Sequence, residues 1–125
     1  EMREIIYCPV APASNSPVSQ ATMGAGLIFI GGQMPRDLDT GEIVSGEAEQ
    51  ARLSLAHCIN ILETANSNAS KVLRVDVFLT KLSAKEAVNE VFLEVFGNSP
   101  PARNLVEVSD IGEGAIVEIG LIALS

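Results

Sequence analysis

The sequence predicts an α+β fold in which two helices cover one face of a mixed β-sheet. Two segments, 47–65 and 83–96, repeat apolar residues at the period of an amphipathic helix. Shorter segments rich in β-branched residues lie before, between and after them. The order of strands, helix, strand, helix and strands is typical of helices packed on one side of a sheet. The 125 residues fit a single domain, 1–125, able to bury roughly two-thirds of its unfolded surface.

The N-terminal part of the chain predicts three strands. The first covers residues 3–8 and ends at two nearby prolines, and a loop rich in Pro, Ser and Asn follows over 11–17. Residues 19–23 and 27–32 form the next two strands, and the Gly24-Ala25-Gly26 segment between them permits a tight hairpin turn.

The first helix is predicted over 47–65, and an Asn-Ser-Asn segment ends it. Residues 72–79 then form a β-branched run, which predicts a strand that is central in the sheet and buried on both faces. For the second helix, Ser83 is the predicted N-cap with Glu86 as its capping-box partner. Gly97 is the predicted C-cap, and the prolines at 100–101 prevent the helix from continuing.

Two strands remain, 103–108 and 115–124, joined by a glycine-containing connection. A simple hairpin about Gly112 would place Arg103 and Glu118 on opposite faces, whereas a bulge near Gly114 would bring them to one face. Apolar residues are also expected on the sheet face that the helices leave uncovered, which indicates oligomerisation. These residues are Leu105, Ile116 and Ile122.

Composition narrows the classes of function. Eight basic residues against sixteen acidic ones give a net charge of -8, so nucleic acid is a poor default partner. Cys8 and Cys58 indicate reduced thiols, although a disulfide between them stays open. His57, the single histidine, is interpreted as a surface or packing residue, and no grouping has metal-ligand spacing. The longest apolar run, 26–32, is too short to span a bilayer, so we expect a soluble cytoplasmic protein or one of the mitochondrial matrix.

Arg103 is the most informative residue because it stands behind two prolines at the start of an apolar strand. Arginine stays charged in proteins, and burying a charge without a partner is costly. The fold must therefore pair this guanidinium, direct it at an anion or leave it in water at a sheet edge. From the residue alone, a structural ion pair or an exposed edge position is a better explanation than a binding site.

Several segments together resemble the Rid (YjgF) family of reactive-intermediate deaminases. They cover nearly the whole chain, and their order and spacing carry the resemblance. The segments are Pro-Val-Ser-Gln-Ala at 17–21, Phe-Ile-Gly-Gly-Gln-Met-Pro at 29–35, Asp-Val-Phe-Leu-Thr at 76–80, Val-Asn-Glu-Val-Phe at 88–92, Pro-Ala-Arg at 101–103 and Val-Glu-Ile at 117–119.

The resemblance implies a chorismate-mutase-like fold, assembled as a homotrimer whose three sheets form a central barrel. It implies clefts between subunits in which 2-imino or 2-enamino acids, such as 2-aminoacrylate, are hydrolysed to 2-oxo acids and ammonia without a cofactor. Arg103 would grip the substrate carboxylate, since a planar guanidinium fits it through two parallel hydrogen bonds. Glu118 would orient or deprotonate the attacking water. Without the resemblance, Glu118 would be interpreted as an exposed residue or the ion-pair partner of Arg103.

The remaining predicted site residues are less specific. Gly31 and Gly32 match a Ser-Gly pair of the family where the backbone approaches the ligand, although a bulge explains two glycines nearly as well. Asn89 and Phe92 on the second helix are wall candidates, or a solvated residue and a core residue. Val18 replaces a frequent tyrosine, Leu105 a frequent cysteine and Asn104 a frequent serine. These losses of hydroxyl and thiol groups support a second hypothesis, a non-catalytic trimer that binds small carboxylates such as 2-oxo acids as a sensor or regulator.

Overall fold

A computed structural model describes residues 2–125 and contains one six-stranded sheet with two α-helices. The elements in chain order are β1 (Glu4–Ile6), β2 (Ala21–Gly24), β3 (Leu27–Gln33), α1 (Glu47–Thr64), β4 (Val72–Leu79), α2 (Lys85–Phe96), β5 (Ala102–Glu107) and β6 (Val117–Leu124). The strands lie in the order β1-β2-β3-β6-β4-β5. All neighbours are antiparallel except β4 and β5. The predicted α+β class, with two helices on a mixed sheet, is confirmed.

The hydrophobic core lies between the helices and one face of the sheet. From α1, Leu55, Ile61 and Leu62 are fully buried, and the helix packs over β6 and β3 and against α2. On the outer side Arg52 of α1 donates to Glu94 of α2 at 2.7 Å, so an exposed ion pair links the two helices. No helix within residues 2–125 is both long enough and apolar enough to cross a membrane.

Strand β4 lies inside the sheet, as predicted, but only one of its faces is buried. Val75, Val77 and Leu79 point toward the helices and are almost fully buried, whereas Asp76 and Phe78 on the other face are partly exposed. The expectation of burial on both faces is therefore wrong for the single chain. Both helices lie on the same side of the sheet, so the other face has no cover within the chain.

The predicted cap of α2 is also wrong. Ser83 lies within a 3₁₀ turn, Leu82–Ala84, that leads directly into the helix, and the N-cap position is Ala84 without a side-chain cap. Gly97 does end the helix, with φ of 57° and its amide bonded to the Leu93 carbonyl oxygen. That left-handed conformation suits glycine because a side chain would be strained there.

Strands β5 and β6 do not form the hairpin that their sequence proximity suggests. Strand β5 pairs in parallel with β4 at the edge of the sheet, and β6 lies between β3 and β4. Because Leu105 stands opposite Val77, it lies on the helix-covered face and packs against the core, contrary to expectation. Ile116 precedes β6 and also packs against the core, whereas Ile122 lies on the uncovered face beside Phe29.

The uncovered face of the sheet is partly apolar. Phe29 is 42 % exposed, Val106 47 % and Leu124 46 %, and Ile5 lies in the same cross-strand row as Phe29. Exposed apolar side chains on an uncovered sheet face are typical of an interface with another chain.

Candidate functional site

All the predicted site residues except Leu105 lie in two separate places in the structure. Gly31, Gly32, Val18 and Glu118 line a cleft of about 480 Å³, which we call the Glu118 cleft. Arg103 lies with Asn89 and Phe92 in a second, more open groove of about 320 Å³, which we call the Arg103 groove. The apolar remainder of this groove comes from Leu93, Pro100 and Pro101.

Two residues of α2 hold Arg103 in place. Its Nη1 donates to Asn89 Oδ1 at 2.9 Å, and its Cζ lies 4.9 Å from the centre of the Phe92 ring. Stacking on an aromatic face and a hydrogen bond to an amide fix a guanidinium without neutralising it. Among residues 2–125, Nε and Nη2 of Arg103 have no hydrogen-bond or ion-pair partner. One edge of the guanidinium, with two parallel donors, is therefore free to bind a carboxylate.

Glu118 lies against the bulge in β3. The register of β3 against β6 shifts between Ile30 and Gln33, so the two glycines form an irregularity at this point. A Cβ atom on Gly32 would lie 2.9 Å from Cδ and Oε2 of Glu118. The absence of a side chain at Gly32 therefore makes room for the carboxylate. Partial burial raises the pKa of Glu118 above its usual 4.5, because a low-polarity surrounding disfavours the charged form.

The expectation that the glycines expose amide donors to a ligand is wrong for Gly31. Its N–H donates to the Gln20 carbonyl oxygen at 3.0 Å. A Cβ atom on Gly31 would lie 3.5 Å from that oxygen, an ordinary contact, so the position would accept the serine that is frequent in the family. The interpretation of the glycines as a bulge agrees with the register, and of the two only Gly32 has a tight steric requirement.

Arg103 and Glu118 lie on opposite faces of the sheet. Arg103 stands opposite Val75, which is buried under the helices, whereas Glu118 stands opposite Phe78 on the uncovered face. Strand β4 also separates the strands that carry them. A single chain therefore cannot bring the guanidinium and the carboxylate to one ligand, and Glu118 is not the ion-pair partner of Arg103 within the chain.

The substituted positions differ in what they contribute. Val18 is 68 % exposed and lies at the Glu118 cleft, so its side chain is available to a ligand. Leu105 lines neither the cleft nor the groove, because it packs against the core. Asn104 donates to Asp76 at 3.0 Å on the uncovered face.

The sequence alone did not identify several residues that shape the Glu118 cleft. The guanidinium of Arg36 forms an ion pair with Glu113 and donates to the Gly41 carbonyl oxygen, and both charged residues line the cleft. The side chain of Gln20 makes four hydrogen bonds to the backbone of the segment 8–12. His57 is buried beneath this region, which excludes the surface interpretation and supports the packing one. Gln20 could have been singled out from the sequence, because it is a glutamine between a loop and a strand within one of the family segments. The contact between Arg36 and Glu113 could not, because these residues lie far apart in sequence.

Within residues 2–125, no three His, Cys, Asp or Glu side chains are grouped as metal ligands would be. Cys8 and Cys58 are buried free thiols, which settles the open disulfide alternative. Burial raises the pKa of the Cys58 thiol, so this thiol stays protonated and is a poor nucleophile.

Comparison with known proteins identifies the family. The family model described as endoribonuclease L-PSP matches residues 8–125. A RutC family protein of Pyrococcus horikoshii is 41% identical over 123 residues, covering 98% of both chains. The 2-iminobutanoate/2-iminopropanoate deaminase of Bos taurus is 35% identical over 124 residues, covering 98% of this chain and 90% of the relative.

Solved structures agree with this assignment. The Rid family protein YyfA of Yersinia pestis superposes with a TM-score of 0.94 at 32% identity, covering 99% of this chain and 100% of the other. The crystal structure of E. coli TdcF with bound serine gives a TM-score of 0.92 at 30% identity and covers 98% of each chain. The resemblance inferred from the sequence is thereby confirmed, and the chain belongs to the Rid (YjgF, RutC) family, whose family model is described as endoribonuclease L-PSP.

Proposed function

We propose that this protein hydrolyses reactive 2-imino and 2-enamino acids, such as 2-aminoacrylate, to 2-oxo acids and ammonia. The observation that carries the proposal is the Arg103 guanidinium, which Asn89 and Phe92 orient while leaving two parallel donors without a partner among residues 2–125. Such a group binds a small carboxylate. The bovine relative named for 2-iminobutanoate and 2-iminopropanoate, both small 2-imino acids, supports this substrate class.

The proposed site forms between two copies of the chain in a homotrimer. Arg103 and Glu118 lie on opposite sheet faces, so only a second copy can bring an Arg103 groove to a Glu118 cleft. The partly apolar uncovered face of the sheet supplies a surface for this assembly, with Phe29, Val106 and Leu124 exposed. Three sheets that meet through these faces would form the barrel that the family resemblance implies. A closed, symmetric assembly repeats the same composite site at each interface.

In the proposed reaction, Arg103 binds the substrate carboxylate bidentately and fixes the position of the imine carbon. Glu118 of the other copy accepts a proton from a water molecule, whose oxygen forms a bond to that carbon while the C=N electron pair moves to nitrogen. The nitrogen takes up a proton from solvent to give a carbinolamine, and its amino group then takes up the proton held by Glu118, which becomes a carboxylate again. Loss of the hydroxyl proton to solvent forms the C=O bond while the C–N bond breaks and its electron pair leaves with ammonia. An enamine first gains a proton on its terminal carbon, and the raised pKa of Glu118 suits an acid that donates it.

One feature of this chain favours a second candidate, a trimer that binds 2-oxo acids without turnover. Val18 is exposed at the Glu118 cleft where deaminating relatives often carry a tyrosine. The cleft consequently lacks a hydroxyl group that could hold a water molecule or a substrate, whereas the exchange at Leu105 affects neither region because Leu105 packs against the core. Arg103 would serve both candidates, so binding of an acid alone does not separate them.

We do not extend the endoribonuclease description to this chain. Its net charge of -8 opposes an RNA backbone, and it has a single histidine, which is buried. Binding to nucleic acid relies on clustered positive charge, and the eight basic residues are scattered along the chain.

The decisive measurement is the rate of 2-oxo acid release from imines generated in situ. We expect the wild type to accelerate it and Arg103→Ala to abolish the acceleration, with Arg103→Lys also strongly impaired because lysine lacks the two-donor edge. Arg52→Ala is the matched control, since its guanidinium already pairs with Glu49 and Glu94 away from both site regions. Binding of 2-oxobutyrate without acceleration would favour the non-catalytic candidate. Undiminished activity in Arg103→Ala would remove Arg103 from the mechanism.

A further inference from the structure

Helix α1 carries a row of buried polar residues that the proposed reaction does not use. Gln50, Ser54 and His57 recur at intervals of four and three, so they lie along one side of the helix. They are 3 %, 0 % and 2 % exposed. A buried polar side chain destabilises the fold unless it is hydrogen-bonded. The hydrogen-bond partners of these three residues therefore indicate their role.

Gln50 joins two pieces of backbone that are far apart in sequence. Its Nε2 donates to the Val44 carbonyl oxygen at 2.9 Å. Its Oε1 accepts from the N–H groups of Ile116 at 2.7 Å and Val117 at 3.2 Å. Val117 is the residue before Glu118, so Gln50 fixes the start of the strand that carries the proposed base.

His57 binds a second piece of backbone at the same cleft. Its Nε2–H donates to the Arg36 carbonyl oxygen, with 2.8 Å between the nitrogen and the oxygen. Its Nδ1 is buried and has no partner within residues 2–125, which assigns the proton to Nε2. Arg36 itself lines the Glu118 cleft.

The hydrogen bonds of Gln50 and His57, together with one ion pair, connect helix α1 to the chain on both sides of the cleft. From α1, Gln50 and His57 bind the two ends of the segment 36–44. This segment folds back on itself as a short hairpin through one isolated β-bridge, Arg36 to Ile43, and backbone hydrogen bonds. The Arg36 guanidinium pairs with Glu113 in the connection before β6. At the end of the same connection, Ile116 and Val117 donate their backbone N–H groups to Gln50 of α1. The two walls of the cleft beside Glu118, the segment 36–44 and the connection before β6, are thus both bound to one helix. The Glu118 carboxylate itself has no hydrogen bond within residues 2–125.

We infer that His57 and Gln50 are positioning residues that hold the walls of the Glu118 cleft and thereby set the location of the Glu118 carboxylate. The inference rests on the proposed function, because Glu118 is the proposed base. Neither residue lines the cleft, so both act through the backbone. Since small displacements of a catalytic group can cost up to about a hundredfold in rate, loss of either anchor lowers turnover.

The test compares two substitutions at His57. His57→Gln retains an N–H donor at nearly the same reach, whereas His57→Met fills similar space without one. We expect His57→Met to lower kcat for imine hydrolysis about tenfold and His57→Gln to stay within about twofold of the wild type. The affinity for 2-oxobutyrate, which depends on the Arg103 groove, should be unchanged in both. Ser54→Ala is the matched control, because its buried Oγ has no partner in the described chain.

A double-mutant cycle identifies the route of the effect. In a Glu118→Gln background, His57→Met should cause no further loss of kcat, because the group that His57 positions no longer accepts a proton. A wild-type kcat in His57→Met, or an equal loss in Ser54→Ala, would overturn the inference. So would a full tenfold loss on top of Glu118→Gln.

Hydrogen exchange separates a failure of this inference from a failure of the proposed function. The N–H groups of Asp37 and Val44 are bonded within the hairpin, at 2.8 Å and 3.0 Å. They should exchange faster in His57→Met than in the wild type or Ser54→Ala, whether or not the protein hydrolyses imines. Unchanged exchange would reject the anchoring role. A wild type without activity but with this exchange pattern would reject only the reaction.

Discussion

The Arg103 groove and the Glu118 cleft are built in different ways. Arg103 stands on an edge strand, and side-chain contacts with Asn89 and Phe92 of one neighbouring helix orient it. Glu118 has no side-chain partner within residues 2–125, and its surroundings are a strand bulge and two long connections. Side-chain contacts therefore position the guanidinium of Arg103. The carboxylate of Glu118 is positioned instead by the space that the missing side chain of Gly32 leaves. This difference predicts that the groove is sensitive to removal of side chains and the cleft to their addition.

Mixing two impaired variants gives the largest expected effect, because it tests whether the two regions belong to one composite site. Alone, Arg103→Ala should show no acceleration, and Glu118→Gln should retain only a small residual rate. When they assemble into mixed trimers, an interface works if one copy supplies Arg103 and its neighbour supplies Glu118. Random mixing should therefore restore about one quarter of wild-type activity.

The control for mixing is a chain that carries both substitutions. Combined with Arg103→Ala, it should restore nothing, since no copy then supplies Arg103. Mixed trimers verified by mass spectrometry that remain inactive would contradict a site shared between copies.

A methyl group at the bulge should damage the cleft without damaging the fold. In Gly32→Ala the new Cβ would meet the end of the Glu118 side chain, which can move aside at little cost in stability. We expect kcat to fall about tenfold or more, because the carboxylate is displaced, while Tm stays close to that of the wild type.

Gly31→Ala is the matched control for this prediction. Its Cβ would make only ordinary contacts, so we expect nearly full activity. If both alanine variants were equally active, the fit between Gly32 and Glu118 would have no functional importance.

Changes at Asn89 should affect the groove through ligand affinity. Asn89→Ala removes one hydrogen bond to Arg103 and should weaken 2-oxobutyrate binding about fivefold. Asn89→Asp should weaken it further, because a carboxylate beside the guanidinium competes with the ligand for the same charge. Calorimetric titration would measure both effects, and tighter binding by Asn89→Asp would contradict the assigned role of Asn89.

The smallest expected effect is the contribution of His57, which is buried beneath the cleft, to the pH dependence of the free energy of unfolding. Burial lowers the pKa of His57 below its usual 6.5, although its bond to Arg36 and the charge of Asp37 oppose this shift. The folded state therefore binds this proton less readily than the unfolded state. The resulting stability is fully present above pH 6.5 and decreases as the pH falls through the unfolded pKa toward the folded one.

Urea unfolding at pH 7.5 and pH 5.5 would test this expectation. The free energy of unfolding should fall more in the wild type than in His57→Gln, which has no group that titrates there. Because His57 is the single histidine, its NMR titration would report the same pKa directly. Equal losses in both proteins would indicate that His57 is not held neutral by burial.

Local patterns predicted most of the elements. The apolar periodicity of 47–65 corresponds to α1 (Glu47–Thr64), and the β-branched run corresponds to β4 (Val72–Leu79). These elements depend on interactions between residues close in sequence. The period of the apolar residues and the secondary-structure propensities of the residues therefore predict them. The Ser83 cap failed because a 3₁₀ turn precedes α2 and changes which residue holds the cap position.

Strand pairing could not be derived from the same patterns. The connection between β5 and β6 favours a hairpin when only these two strands are considered, but β6 pairs with β3 and β4. A strand, a helix and a strand in succession also permit a parallel pair, and β4, α2 and β5 adopt it. This choice placed Leu105 on the covered face instead of the uncovered one.

The sequence by itself determined the order of the elements, the family resemblance and the choice of Arg103 as the candidate carboxylate-binding residue, since short-range patterns and motifs record all three. The tertiary structure alone decided that Arg103 and Glu118 face opposite sides of the sheet, that Gly32 leaves room for the carboxylate and that α1 forms hydrogen bonds to the chain on both sides of the cleft. The physical reason is that these relations join residues distant in the chain. Strand register and buried side-chain contacts fix them only when the whole sheet and its helices pack together.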